Sequence, residues 1–163
     1  MVDNLKLIIA SFTASAGFGI VFHIKKELLF WAGLGGALTR LCFLILIELI
    51  DARIVYTLLA AMFAALYAEV MAMEFKTPST VFLYPAVSPL LPGGLMYHAA
   101  INFLLQDIPT MRSYLIDCAL SVTGTSIGLV VISTFTYYRR LYFAGKHLAS
   151  HLLQYESAKH KKK

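Results

Sequence analysis

Apolar positions run through this chain in five blocks, 5–24, 28–50, 54–73, 79–105 and 113–136. A helix needs about 20 apolar residues to cross a hydrocarbon layer of ~30 Å, and each block is near or above that length. The connections Lys25–Glu27, Asp51–Arg53, Glu74–Thr77 and Gln106–Arg112 are short and polar. The pattern predicts an all-α integral membrane protein with about five transmembrane helices. No linker divides the blocks, and no internal repeat is apparent. Lys25-Lys26 closes the first block, which fits a retained span better than a signal peptide cut after Ala14-Ser15-Ala16.

The fourth block differs from the rest. Pro85, Pro89, Pro92, Gly93 and Gly94 break a segment otherwise apolar enough to enter the bilayer. In a helix each proline removes an N–H and strands the carbonyl four residues earlier, here those of Val81, Pro85 and Ser88. Non-helical backbone at membrane depth survives only inside protein or around a watery cavity, so the block is expected to line a pathway. Stranded carbonyls suit an ammonium group, and Thr80, Ser88 and Tyr97 offer hydroxyls. Gly93-Gly94 before an apolar run reads as the start of a half-helix, whose free N–H groups favour a carboxylate. The plainer alternative is a proline-kinked helix needed only for packing.

Small residues mark helix contacts in a membrane, because lipid gives helices no hydrophobic reason to associate. At 100° per residue, Thr57, Ala61, Ala64, Ala65, Ala68, Glu69 and Ala72 share one face of the third span. Ser113, Asp117, Ser121, Gly124 and Gly128 share a face of the fifth, and Gly33, Gly36, Ala37 and Arg40 one of the second. Each buried charge thus lies on a face of small residues. Arg40 sits about 12 residues into its block, where an arginine costs about 2.5–3.5 kcal/mol on insertion scales and stays charged. The readings open to it are pairing with Glu69 or Asp117, direct contact with a substrate carboxylate, snorkelling to an interface, or a span boundary that lies elsewhere. Glu69 and Asp117 are the candidates to carry a proton. Glu48 and Asp51 sit at a span end.

Composition agrees with a membrane body: 59% hydrophobic residues, 14% charged and a mean hydropathy of +0.72, against about 25% charged in soluble domains. The net charge of +5 is a property of the end of the chain. Arg139, Arg140, Lys146, Lys159 and Lys161 to Lys163 face the single acid Glu156, whereas residues 1–138 are nearly neutral. The chain therefore divides into a transmembrane domain, 1–138, and a basic tail, 139–163. Leu141, Leu148, Leu152 and Tyr155 recur among the basic residues, so the fifth span is expected to continue as a basic amphipathic C-terminal helix against anionic lipid. That location, and the lack of any recognition motif, argue against nucleic acid as a partner. If the fourth block crosses fully, Lys25, Lys26, Lys76 and the tail share a side, which the positive-inside bias makes cytoplasmic. The amino terminus is then outside; a re-entrant fourth block would instead put both termini on one side. Cys42 and Cys118 sit in apolar runs and read as small hydrophobes. His147 and His151 are four apart but have no third ligand nearby, so no metal is expected.

At the broken block the sequence resembles the threonine/serine exporter family, specifically its small membrane subunit, which corresponds to the second membrane half of the single-chain exporters. The resemblance rests on Lys76-Thr77-Pro78-Ser79-Thr80-Val81-Phe82-Leu83, then Pro85, Pro89-Leu90, Pro92-Gly93-Gly94 and Tyr97, with Ala68-Glu69 upstream. Lys76 stands where the pattern has an arginine, and Arg40 and the basic tail fall outside it. Motif agreement is confined to about 68–97, while the span layout extends it over about 5–136. The resemblance implies a secondary exporter of small amino acids such as threonine and serine, or of dicarboxylates such as succinate, driven by the proton gradient. It also implies a larger membrane subunit as partner. Five short spans leave little room for a whole pathway, so a partner or self-association is expected on size as well.

Two functions from different classes follow: a transporter subunit in the inner (cytoplasmic) membrane, or a non-transporting scaffold whose broken helix is structural. No catalytic motif of the His-Glu-x-x-His or Gly-x-Ser-x-Gly kind occurs, so neither enzyme activity nor a cofactor is expected. His98, the one histidine deep in the apolar body, reads as structural. In the transporter reading the substrate lies where Ser88 to Gly94 interrupt the fourth block. Arg40 or the half-helix start takes its carboxylate, and Glu69 or Asp117 carries the proton.

Overall fold

The computed structural model describes residues 2–160, and side chains from Asn4 to Arg139. The described residues are helical, with no strand: α1 (Val2–Val21), α2 (Lys26–Leu49), α3 (Arg53–Glu74), α4 (Thr80–Val87), α5 (Gly93–Leu104) and α6 (Ile108–His160), with a 3-10 turn at Ser88–Leu90. Among the described residues four helices are long and apolar enough to cross a membrane: Asn4–Val21, Lys26–Leu49, Arg53–Glu74 and Ile108–Arg139. The chain forms two compact units, residues 1–132 and 133–163. The second begins within α6, and everything that follows concerns the first. His147, His151 and the apolar stripe of the tail lie outside the described side chains.

Local chemistry sets the helix ends, and they depart from the apolar blocks by a few residues because hydropathy marks membrane depth, not hydrogen bonding. Helices α1, α3 and α5 end alike. The N–H of Ile24 bonds the Gly19 carbonyl at 3.0 Å, Thr77 that of Ala72 at 3.1 Å, and Asp107 that of Asn102 at 2.9 Å. Each time the preceding residue takes the left-handed conformation usual for glycine at a helix end: His23 at φ 55°, Lys76 at φ 50° and Gln106 at φ 59°. Asp107 then caps α6, its Oδ1 accepting from the Thr110 N–H at 3.2 Å. The carboxylate at the positive end of the helix and Pro109 in its first turn both favour a start there.

Packing is that of a protein whose solvent is lipid. The core is made of small side chains: Ala60, Ala61, Ala64 and Ala68 are wholly or almost wholly buried, and Phe82 is the largest side chain with no exposure. Phe82 of α4 wedges against Leu28 and Ala32 of α2 and Ala68 and Ala72 of α3. Large apolar side chains such as Leu5, Ile20, Phe30, Leu49 and Val130 point outward. The predicted small face of α3 is the one it buries, from Thr57 through Ala61, Ala64, Ala65 and Ala68 to Ala72, while Glu69 is half-buried beside it.

Glycine permits the closest approach, between α3 and α6. A Cβ on Gly124 would fall 2.6 Å from the Ile54 carbonyl oxygen, and one on Gly128 would strike the Leu58 carbonyl and Ala61. Successive contacts ascend in both sequences, so α3 and α6 run parallel. On the other side of the bundle, Gly36 of α2 makes room for the Ser15 side chain of α1.

Between α4 and α5 the chain interrupts its helix without leaving the Pro85 and Ser88 carbonyls bare. Pro89 lacks the N–H that would bond the Pro85 carbonyl, and the Ser88 hydroxyl donates to it instead at 2.9 Å. Pro92 likewise cannot serve the Ser88 carbonyl, which accepts the Leu91 N–H at 3.3 Å. Ser88 Oγ also lies 3.0 Å from Ser15 Oγ, tying the turn to α1. The carbonyls expected to await an ammonium group at Pro85 and Ser88 thus already have donors.

Candidate functional site

Beside this turn lies a cavity of about 400 Å³, within the usual size of small-molecule sites, about 300–1,000 Å³. Arg40, Phe43 and Ile47 of α2 form one wall, and Arg53 and Thr57 of α3 the next. Pro89 to Pro92 close it on the turn side, Gly94, Leu95 and His98 of α5 stand opposite, and Ser121 of α6 completes the lining.

The two arginines hold different positions. The Arg40 guanidinium lies over the Phe43 ring, 5.2 Å from its centroid, an arrangement that recovers part of the charge's lost hydration. Its Nε is buried with no hydrogen-bond partner among the described residues, and an unmade bond at a buried charged donor is costly. Arg53 Nε instead meets Asp117 Oδ1 at 3.2 Å, with both side chains about one-third exposed (31% and 34%). Two hydroxyls near this pair are spent on their own helices. Thr57 donates to the Arg53 carbonyl at 2.9 Å and Ser121 to the Asp117 carbonyl at 2.8 Å.

The α5 wall begins at the start of that helix, where the Gly93 N–H bonds the Leu91 carbonyl at 2.9 Å. Pro92 precedes it with no side-chain cap, and a Cβ on Gly93 or Gly94 would meet nothing within 4 Å. One turn on, the His98 ring stacks on Tyr114 of α6, centroids 5.3 Å apart and planes at 22°. The Tyr97 ring stands edge-on to His98 at 5.7 Å.

Of the residues singled out in the sequence, Arg40, Pro89, Pro92 and Gly94 line this one cavity. Gly93 adjoins it and is exposed. Pro85 is buried beneath the turn, and Ser88 bonds Ser15 and the Pro85 carbonyl. Thr80 and Tyr97 are exposed and lie outside the lining. Asp117 reaches the cavity through Arg53, not Arg40. Glu69 does not line it: sixteen residues of α3 separate Glu69 from Arg53, about 24 Å at the helical rise.

Arg53, Thr57, His98 and Ser121 were not singled out as site residues. Arg53 counted as a loop charge because it opens α3, and His98 was set aside as a lone histidine. The signal was the spacing of four that joins Arg53 to Thr57, Gly94 to His98 and Asp117 to Ser121, which puts each pair on one helix face.

A groove of about 620 Å³ between α5 and α6 differs in kind, with an apolar lining that includes Met96, Phe103, Met111 and Leu115. Two arginines in its wall, Arg40 and Arg53, set the smaller cavity apart. Among known proteins, the family described as Threonine/Serine exporter, ThrE, matches residues 7–135. No curated protein and no solved structure matches the chain.

Proposed function

The chain belongs to the threonine/serine exporter family, and from that premise we propose that it is one subunit of a secondary, proton-coupled exporter of small carboxylate-bearing solutes. Its substrates are polar amino acids such as threonine and serine or dicarboxylates such as succinate, which it moves without chemical change. The observation that carries this reading is the cavity at the turn, where Arg40, Arg53 and the uncapped start of α5 surround one small space. Positive charge on three sides suits a carboxylate. Among the described residues no acidic side chain lines the cavity, and the Pro85 and Ser88 carbonyls already accept bonds. A second carboxylate is therefore better served than an ammonium group, which favours dicarboxylates over amino acids.

The topology we assign has five crossings, with residues 79–105 as the broken fourth. The parallel run of α3 and α6 supports it, since the chain between them must then return across the layer. The positive-inside bias puts the amino terminus outside and the basic tail at the cytoplasmic face of the inner membrane, against anionic lipid. The partner we assign is a larger membrane subunit of the same family, with self-association as the other way to complete a pathway. Asp117 and Glu69 are the proton-carrying candidates, and Asp117 contacts Arg53 of the cavity wall.

Reconstitution tests the reading. Proteoliposomes holding this chain with the larger membrane subunit assigned as its partner should exchange labelled succinate, threonine or serine. Arg40→Gln should abolish the exchange. Vesicles with both subunits that move none of the three overturn the transport function.

A further inference from the structure

Resting on the reading that the cavity takes a carboxylate, we infer that Asp117 is a tethered competitor for Arg53. In the empty site it holds a guanidinium that a bound anion needs, so removing its charge tightens anion binding.

Four observations lead there. Arg53 lines the cavity and Asp117 does not, yet Arg53 Nε lies 3.2 Å from Asp117 Oδ1. The guanidinium is thus shared between a fixed carboxylate behind it and the space in front. At 3.2 Å the contact is longer than the about 2.7–2.9 Å at which arginine grips a carboxylate most firmly. A ligand free to orient itself has that better geometry open to it.

Both partners are about one-third exposed. Water can therefore take over Asp117 when Arg53 turns away, and the pair is of the kind whose net worth is small. Nor is the pair needed to hold α3 to α6. Two turns further along α6, Gly124 and Gly128 seat directly on the backbone of α3 at Ile54 and Leu58. The ion pair has freedom to open that the glycine contact lacks.

Charge then decides which ligands feel the competition most. With Asp117 engaged, the arginine pair presents little more than the single charge of Arg40. With Asp117 neutral, Arg40 and Arg53 present two. A dianion gains more from the second charge than a zwitterion, so the effect of Asp117 should be larger for succinate than for threonine. A residue that merely positioned Arg53 would have the opposite signature. Its neutralisation would loosen the arginine and weaken both ligands together.

The test measures equilibrium binding of labelled succinate and labelled threonine to the chain in nanodiscs, together with the larger membrane subunit assigned above as its partner. Wild type, Asp117→Asn, Arg53→Gln and the double variant are compared, and Asp117→Ser serves as a second neutral variant should the asparagine form fail to fold. Asp117→Asn is expected to bind succinate roughly two- to fivefold more tightly, the worth of a partly exposed ion pair. Threonine should change less, and the gain should vanish in the Arg53→Gln background. Succinate binding unchanged or weakened in both neutral variants overturns the competitor role while leaving the carboxylate site in place. Absence of binding by every variant overturns the site and this role with it.

Discussion

Asp117 of α6 meets Arg53 of α3 at 3.2 Å, seven residues before Gly124 seats on the carbonyl oxygen of Ile54. The charged contact and the glycine contact join the same two helices with different strengths. A carbonyl pressed against a bare Cα tolerates no added atom, whereas an ion pair one-third open to its surroundings exchanges partners readily. The wall of the cavity is thus rigid in its backbone and adjustable in its charge.

Gly124→Ala tests the rigid part. The new Cβ falls 2.6 Å from the Ile54 oxygen, so the helices must separate, at a cost of about 1–3 kcal/mol for overpacking. Gly17→Ala is the control, because a Cβ there meets nothing within 4 Å and alanine favours the helix by about 1 kcal/mol. Thermal unfolding in detergent should show a lower midpoint for the first variant and an equal or higher one for the second. Equal midpoints for Gly124→Ala and wild type would remove the glycine seat as the joint between α3 and α6.

Arg40→Met separates stability from function. The wild-type side chain holds a buried Nε with no hydrogen-bond partner among the described residues, relieved in part by the Phe43 ring at 5.2 Å. Replacing a poorly compensated buried charge with an apolar chain of similar reach is often neutral or stabilising, by about 1–4 kcal/mol. The unfolding midpoint should therefore stay level or rise while succinate exchange is lost. A large drop in the midpoint would mean that the arginine serves the fold instead.

Ser88 and Ser15 give an unequal pair. The Ser88 hydroxyl has one proton, which it donates to the Pro85 carbonyl at 2.9 Å, so Ser15 is the donor in the 3.0 Å contact between the two hydroxyls. Ser88→Ala breaks both bonds and leaves Ser15, with no exposed surface, short of its partner. Ser15→Ala breaks one. The costs should be about 1–3 kcal/mol for Ser88→Ala and about 1 kcal/mol for Ser15→Ala, read as ordered shifts of the unfolding midpoint. The reverse order would contradict the assigned direction of donation.

Much of this was legible in the sequence for simple reasons. Length and apolarity announce the four long helices, and the face of α3 from Thr57 to Ala72 follows from a period of 3.6 applied to small residues. The prolines announced an interruption between Thr80 and Leu105, and Gly93 does begin a helix. What was not legible is how backbone groups find partners. A count of lost N–H groups cannot foresee that a hydroxyl at position 88 replaces one of them, or that a tight turn serves another. Nor does an inventory of charges say which arginine meets which acid. Arg53 lies 64 residues from Asp117, and only the parallel seating of α3 on Gly124 and Gly128 brings them together.

Gly94→Leu and Gly93→Leu carry the site prediction furthest, because the two glycines are adjacent and differ in one respect. A Cβ at either meets nothing within 4 Å, so neither replacement should prevent insertion or folding, and leucine is the better helix former by about 1 kcal/mol. Only Gly94 lines the cavity between the arginines and His98. Four added carbons there occupy the space before Arg40 and cover the uncapped start of α5, where N–H groups and the helix dipole favour an anion. Gly94→Leu should reduce succinate exchange at least tenfold with wild-type expression and unfolding midpoint. Gly93→Leu, turned away from the lining, should retain a substantial part of it. Equal exchange by Gly94→Leu and wild type, measured in the same vesicles, would remove the start of α5 from the binding site.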